Sequence, residues 1–319
     1  MSEAALPEAV VLFGASGFIG RNIVEALRGK VALLVGVNST GRAVPGCDVT
    51  LALQVLAEAP ALPRDAALVH AAAFRYRASR FAAQQSAILS ANLALTDAAY
   101  GFALARGITE VRLASSVAVY PAEWAVQDDA IPLDLNAWPH AGEAAYAWSK
   151  RWAEIAAELW QRRAGINSIS LRLSNPYGAF DMLDEAEAHV ATAFILRALS
   201  NTPEFEIRGD PQAERDFVHA GDVALAFVES LKLRGVQAAV NCAAGHTTTV
   251  LELAEAAMRT AGRPRPLRTT PAPPGANVGI AGRHATAARL RQLLPALPAF
   301  RGLDAGLAQS MDWYRHALR

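Results

Sequence analysis

Val10-Val11-Leu12-Phe13 is an apolar run that ends on glycine, and the glycine opens Gly14-Ala15-Ser16-Gly17-Phe18-Ile19-Gly20, which leads into an amphipathic stretch over 18–28. A buried strand, a tight turn and a helix in that order leave little freedom to the fold. Glycine permits the turn and lets the backbone approach a ligand closely, while the new helix offers free N–H groups and a favourable dipole. Gly14, Ser16, Gly17, Phe18, Ile19 and Gly20 are therefore candidates to cradle the pyrophosphate of a dinucleotide.

The rest of the first half continues the theme. Apolar runs at 31–37, 67–71, 111–115 and 168–173 alternate with helical patterns over about 79–106 and 146–163. Strands alternating with helices predict βαβ units, a parallel sheet covered on both faces, and ligands at the carboxyl ends of the strands. Residues 38–66 are short for a full crossover, and Thr40–Gly46 reads as loop, so one crossover helix is absent or reduced. Beyond Asn175 the pattern loosens into helical stretches near 185–200, 221–234, 249–261, 285–294 and 304–317, with a Pro- and Gly-rich segment at 264–275. The expectation is an α/β chain: a Rossmann-type doubly wound parallel sheet over 1–174, then a smaller C-terminal substrate-binding lobe over 175–319. A segment near 215–245 returns to the sheet.

Composition narrows the partners. Thirty basic and thirty acidic residues balance, so bulk electrostatics favour neither nucleic acid nor a membrane. Two cysteines, Cys47 and Cys242, make neither a disulfide framework nor a metal site. No secretion signal opens the chain, and no uninterrupted apolar run reaches the roughly 20 residues of a membrane span. These features predict a soluble cytoplasmic enzyme without a metal.

Three further places carry chemistry. Tyr146 and Lys150 are four apart on one helix face, where the ammonium favours tyrosinate and lowers the phenol's pKa. Ser116 ends a strand, where its hydroxyl can bond a substrate oxygen. Together they can exchange a proton with an alcohol or ketone while a nicotinamide exchanges a hydride. The second strand ends in Asn38-Ser39-Thr40-Gly41-Arg42, without the acid that grips the ribose of NAD. An uncharged end and Arg42 favour the 2′-phosphate of NADP; NAD held by Asn38 is the alternative. Asp48 and Val49 are expected to cover the adenine.

With these motifs in order, the chain resembles the extended short-chain dehydrogenase/reductases, the NAD-dependent epimerase/dehydratase family that works on nucleotide sugars. Gly14–Gly20 resembles its cofactor loop and His70-Ala71-Ala72-Ala73 its cofactor-lining strand end, which brings in Ala71 and Ala72. Asn92 falls where the family places an asparagine. Ser115–Tyr120 resembles the serine segment, and Tyr146 and Lys150 take the catalytic positions. Leu171–Gly178, Arg215–His219 with Asp222, and Val240–Gly245 resemble later signatures. The resemblance implies that Asn175 and Arg215 bind the substrate's diphosphate; an ion pair of Arg215 with Glu214 or Asp216 is the alternative. It also implies a homodimer through a four-helix bundle.

Family dehydratases carry an Asp-Glu pair after the serine, and GDP-fucose synthases a cysteine two residues on. Here Val117 and Ala118 stand there, which argues against dehydration and against that synthase's epimerisation. Ala188-His189-Val190 still matches those synthases, so His189 is a candidate proton donor or phosphate contact, or else a polar surface residue. The expectation is redox at one sugar carbon, C4 by resemblance. A 4-keto reductase is slightly favoured over a 4-epimerase with bound NAD. A non-catalytic NADP sensor and a reductase of a non-sugar ketone are further alternatives.

Overall fold

The structure, a computed structural model, describes residues 5–74, 81–271 and 282–319. The expected helix start near 79 and part of the Pro/Gly-rich segment, 272–281, lie outside the described residues.

Seven parallel strands form the central sheet: β1 (Ala9–Phe13), β2 (Leu33–Asn38), β3 (Val49–Ala52), β4 (Ala67–His70), β5 (Glu110–Ser116), β7 (Asn167–Leu173) and β12 (Ala238–Cys242). β6 (Val126–Gln127) precedes β7 and lies outside the sheet, as do β8 (Asn175–Tyr177), β9 (Phe205–Arg208), β10 (Glu214–Arg215) and β11 (Phe217–His219). The order β12-β7-β5-β4-β1-β2-β3 reverses direction between β1 and β4, which puts a ligand crevice beyond the carboxyl ends of those two strands.

Side-chain alternation along β1 shows why both faces must be covered. Val10 and Leu12 pack with Ile23, Val24 and Leu27 of α1 (Phe18–Leu27). Ala9, Val11 and Phe13 pack on the other face with Tyr100 and Phe102 of α2 (Phe81–Ala105) and Ala156 of α3 (Ala144–Ala164). All five β1 residues are fully buried, and each large apolar one contributes about 1.5–3 kcal/mol by leaving water. α2 between Ala83 and Ala105 has the length and mean hydropathy (1.3) of a membrane span, yet it packs along α3 and its Tyr100 hydroxyl bonds Ser168 Oγ at 2.8 Å.

The second lobe has its own core. α4 (Val190–Leu199), α6 (Val250–Ala261) and α8 (Leu303–Ala317) close around Phe194, Phe205, Leu253, Leu307 and Met311. α4 starts later than the pattern at 185 suggested, because Asp184 Oδ1 accepts from Ala186 N and holds a local turn instead of a helix. A four-stranded sheet of β6, β10, β13 (Thr248–Thr249) and β15 (Gly282–Ala285), and pairs β8–β11 and β9–β14 (Leu267–Thr270), complete the lobe. α5 (Ala220–Ser230) packs on α1, and β12 pairs with β7. α7 (Ala288–Leu293) packs on β12, so the chain after 175 also builds the first unit.

Over 38–66 the crossover helix is reduced to a 3-10 turn, Leu53–Glu58, as the short loop-like segment implied; the difference is a strand, β3, where no strand was expected.

His219, at the end of β11, shows how the lobe depends on protonation. Its Nδ1 accepts from Gly221 N at 3.0 Å and lies 3.1 Å from Arg301 Nη1, which can only donate. Burial, then the charge of Arg301, push the ring's pKa down from 6.5 to about 3. The unfolded chain therefore takes up this proton first, and the stability the neutral ring contributes is whole above pH 6.5 and is lost as pH falls toward 3. His70, also pushed down to about 3 by burial and then by Lys150, acts in the same direction. Urea midpoints measured from pH 7.5 downward should fall below pH about 6.5, and more gently in His219→Asn, which keeps an acceptor but takes no proton.

Candidate active site

Gly14 has φ +84°, and a Cβ there would lie 2.6 Å from Ala72 Cα and N. Its N–H bonds Val37 O at 2.8 Å, while Ala71 N bonds Phe13 O at 2.9 Å. The ends of β1, β2 and β4 therefore converge on this glycine, which brings Ala71 and Ala72 against the loop. Gly20 permits the other close approach, since a Cβ there would lie 2.0 Å from Gly14 O. Gly17 caps α1 with no side-chain hydrogen bond, and the first turn carries no acid. The first turn, Phe18 and Ile19, thus starts without a side-chain cap, with Ser16 and Gly17 exposed beside it. These features fit a dinucleotide pyrophosphate.

At the end of β2, Asn38 is buried and its amide is engaged locally. Oδ1 accepts from Thr40 N (3.0 Å) and Gly41 N (2.6 Å), and Nδ2 donates to Arg42 O (2.9 Å). These bonds make Asn38 a shaper of the 38–42 loop. Arg42 is exposed at the same loop, and among the described residues no hydrogen bond or ion pair holds its guanidinium.

Asp48 and Val49 are not where an adenine contact requires them. Val49 pairs with Val35, and Asp48 Oδ2 accepts from Leu34 N at 2.7 Å, both toward the amino end of β2. Ala52 is the residue opposite Asn38. The expectation failed because β3 runs through this segment and its register carries Val49 three residues, about 10 Å, and Asp48 four residues back along the sheet.

Ser116 closes β5 and caps the short 3-10 turn Val117–Val119. Its Oγ accepts from Ala118 N at 3.1 Å, which leaves the hydroxyl proton for another acceptor. On α3, Lys150 Nζ lies 5.6 Å from the Tyr146 ring centre and donates to Ala114 O at 2.8 Å. Burial pushes the Lys150 amine down to about 8, with the Glu154 carboxylate acting upward. Val117 and Ala118 are buried and apolar. Asn92 is committed to the backbone: Oδ1 accepts from Phe74 N and Nδ2 donates to Ile88 O, both at 2.8 Å.

In the second lobe, Asn175 opens β8, and its Nδ2 donates to Asp216 O at 2.9 Å. Arg215 is one residue away from that acceptor in β10, and its Nη1 donates to Glu214 O at 2.7 Å. Asp216 is wholly buried; its carboxylate accepts from Ser174 Oγ, Ala244 N and Gly245 N, and burial raises its pKa. It ties the turn after β12 to the start of β8. His189 caps α4 without a cap bond, is 77% exposed in its side chain, and has Nδ1 3.7 Å from Asp181 Oδ2. A surface cavity of about 460 Å³ lined by Thr247, Glu252, Arg259 and Asp304 contains none of these candidates.

The sequence reading did not assemble one cluster. Glu154, one turn beyond Lys150, accepts from Ser115 Oγ at 2.5 Å and from Arg172 Nη2 at 2.7 Å. The i, i+4 spacing from Lys150 was the signal available in the sequence.

Residues 10–243 match the NAD dependent epimerase/dehydratase family. The dTDP-4-dehydro-6-deoxy-D-allose reductase of Streptomyces bikiniensis is 27% identical, over 97% of each chain. Among solved structures, UDP-glucose 4-epimerase of Thermotoga maritima with UDP-glucose superposes with TM-score 0.81 at 19% identity, covering 98% of this chain and 100% of that one. The Thermus thermophilus UDP-glucose 4-epimerase in complex with NAD gives TM-score 0.76 at 22% identity, covering 97% and 99%.

The glycine geometry is testable alone. Gly20→Ala should weaken dinucleotide binding about tenfold or more in a fluorescence titration, about 1.4 kcal/mol, because helix and loop must separate. Gly101→Ala on α2, where a Cβ meets nothing within 4 Å, should leave it unchanged.

Proposed function

The chain belongs to the NAD dependent epimerase/dehydratase family, and we propose that it reduces the 4-keto group of a nucleotide-diphosphate 6-deoxy sugar with NADPH. One observation carries the choice of reductase. The loop that receives the adenosine ribose in this fold holds no acid, Asn38 is committed to its own turn, and Arg42 is left exposed for a 2′-phosphate. NADPH is consumed in reductions, whereas an epimerase keeps its cofactor. The full-length likeness to the Streptomyces reductase supports the same direction. Buried Val117 and Ala118 supply no second acid or base, which favours redox at one carbon without dehydration.

A nicotinamide held at the glycine loop would supply the hydride for the carbonyl carbon. The chain's own residues handle the oxygen. Ser116, with its lone pair on Ala118 N, donates its hydroxyl proton in a hydrogen bond to the carbonyl oxygen. Tyr146 delivers the proton that turns the developing alkoxide into the alcohol. Lys150 stabilises the tyrosinate left behind, and its burial strengthens that field. Asn175 and Arg215 sit at one junction of the second lobe, where they hold the diphosphate.

With dTDP-4-dehydro-6-deoxyglucose the protein should consume NADPH, read by loss of nicotinamide absorbance. Tyr146→Phe should lower kcat roughly a hundredfold or more. Arg42→Ala should raise the KM for NADPH about tenfold and leave that for NADH unchanged. Conversion of a sugar with no net cofactor change would instead identify a 4-epimerase.

The assembly we propose is a homodimer through α2 and α3. The apolar window of α2 is only 39% buried, and Leu104 and Leu159 are exposed. Light scattering should give twice the 33.8 kDa chain mass.

A further inference from the structure

We propose that Glu154 is a positioning residue of the proton-transfer site: it locks the Ser115–Ser116 strand end to α3 and supplies the negative charge that Lys150 faces. The inference rests on the assignment of Ser116, Tyr146 and Lys150 above. Tyr146, Lys150 and Glu154 follow one another at i, i+4 and i+8, so they share one face of α3. Glu154 Oε1 accepts from Ser115 Oγ at 2.5 Å and from Arg172 Nε at 3.0 Å, while Oε2 accepts from Arg172 Nη2 at 2.7 Å. The pair with Arg172 is bidentate and almost wholly buried.

The contacts continue outward. Arg172 Nη1 donates to the Tyr120 hydroxyl at 2.8 Å, which donates to Asn241 Oδ1 at 2.8 Å. Asn241 Nδ2 donates to Gln127 O, and its backbone N–H to Asp129 Oδ2, each at 2.8 Å. A single carboxylate thus joins α3, β5 and β7, and through Arg172 it reaches β12 and the chain that leaves Ser116. The network ties Ser115, the neighbour of Ser116, to the helix that carries Tyr146.

Among the described residues, the charges around Lys150 are few. Tyr146 and Glu154 face it from its own helix and His70 from β4, where burial keeps the imidazole neutral, its pKa at about 3. Glu154 is the acid that acts upward on Lys150 against burial. Glu154 itself is faced by Arg172 from β7, by Arg151 from α3, by Tyr100 from α2 and by Tyr120 beyond β5. Although burial works against its charge, Arg172 is held protonated by Glu154 and Tyr120.

The chain has only three lysines, Lys30, Lys150 and Lys232, so ε-carbon labelling gives three NMR signals with two internal references. In Glu154→Gln the Lys150 signal should titrate about one pH unit or more below the wild type, because an opposing charge is gone. Glu154→Asp, which keeps the charge, should stay near the wild-type midpoint. Should Glu154→Gln fail to fold with Arg172 left buried and unpaired, Glu154→Gln/Arg172→Met removes both ions, and the same downward shift is expected. An unmoved Lys150 midpoint in the folded charge-removing variant overturns the proposal. In the NADPH assay with dTDP-4-dehydro-6-deoxyglucose, the variant's kcat should fall about tenfold with KM within about twofold, the split expected when groups act in the transition state. An unchanged kcat also overturns it. A wild-type protein inactive on that sugar counts against the reductase reading, while the lysine titration still decides the role of Glu154.

Discussion

A parallel sheet buried on both faces has only its strand ends to offer for chemistry. In β1 alternate residues feed two separate cores, one under α1 and one under α2 and α3, so neither face can open without exposing apolar area. The free positions are where strands stop, and the reversal of strand order between β1 and β4 separates the chains there enough for a ligand. Gly14 is the pivot. Its left-handed conformation and its contact with Ala72 bring the ends of three strands together, and α1 starts from that point with its first turn uncapped.

Burying polar groups at these ends has a cost that pairing must offset. The ends of β5 and β7 do this with Glu154 and Arg172, and the junction with the second lobe does it with Asp216, whose carboxylate takes three donors. His70 and His219 remain neutral instead. Lys150 lies between these solutions: buried, bonded to a backbone carbonyl, and facing a carboxylate that is itself shared with an arginine. Polar networks of this kind fix relative positions of side chains more tightly than apolar packing does.

Much of the fold was legible because its signals are local. The run Val10–Phe13, the glycines behind it and the 3.6-residue pattern of α3 each describe one segment. The expectations that shifted turned on contacts that residue type alone does not show. Asn38 looked available for a ribose until its amide was found closing its own loop with Gly41 and Arg42. Asp48 and Val49 looked like an adenine cover until strand pairing set them opposite Leu34 and Val35. Glu154 drew no notice, since a glutamate on a helix is ordinary and its partners lie at 115 and 172.

The sequence by itself determined the strand–turn–helix that opens the chain, the α/β alternation, and the Tyr146–Lys150 pair on one helix face, because hydrophobic period and glycine spacing act within a few residues. Only the tertiary structure decided which strands neighbour one another, that the returning segment pairs with β7, and that Glu154, one turn beyond Lys150, binds Arg172. Register and buried charge pairing are properties of two segments at once. A shift of one strand by a residue changes them completely while leaving every local pattern intact.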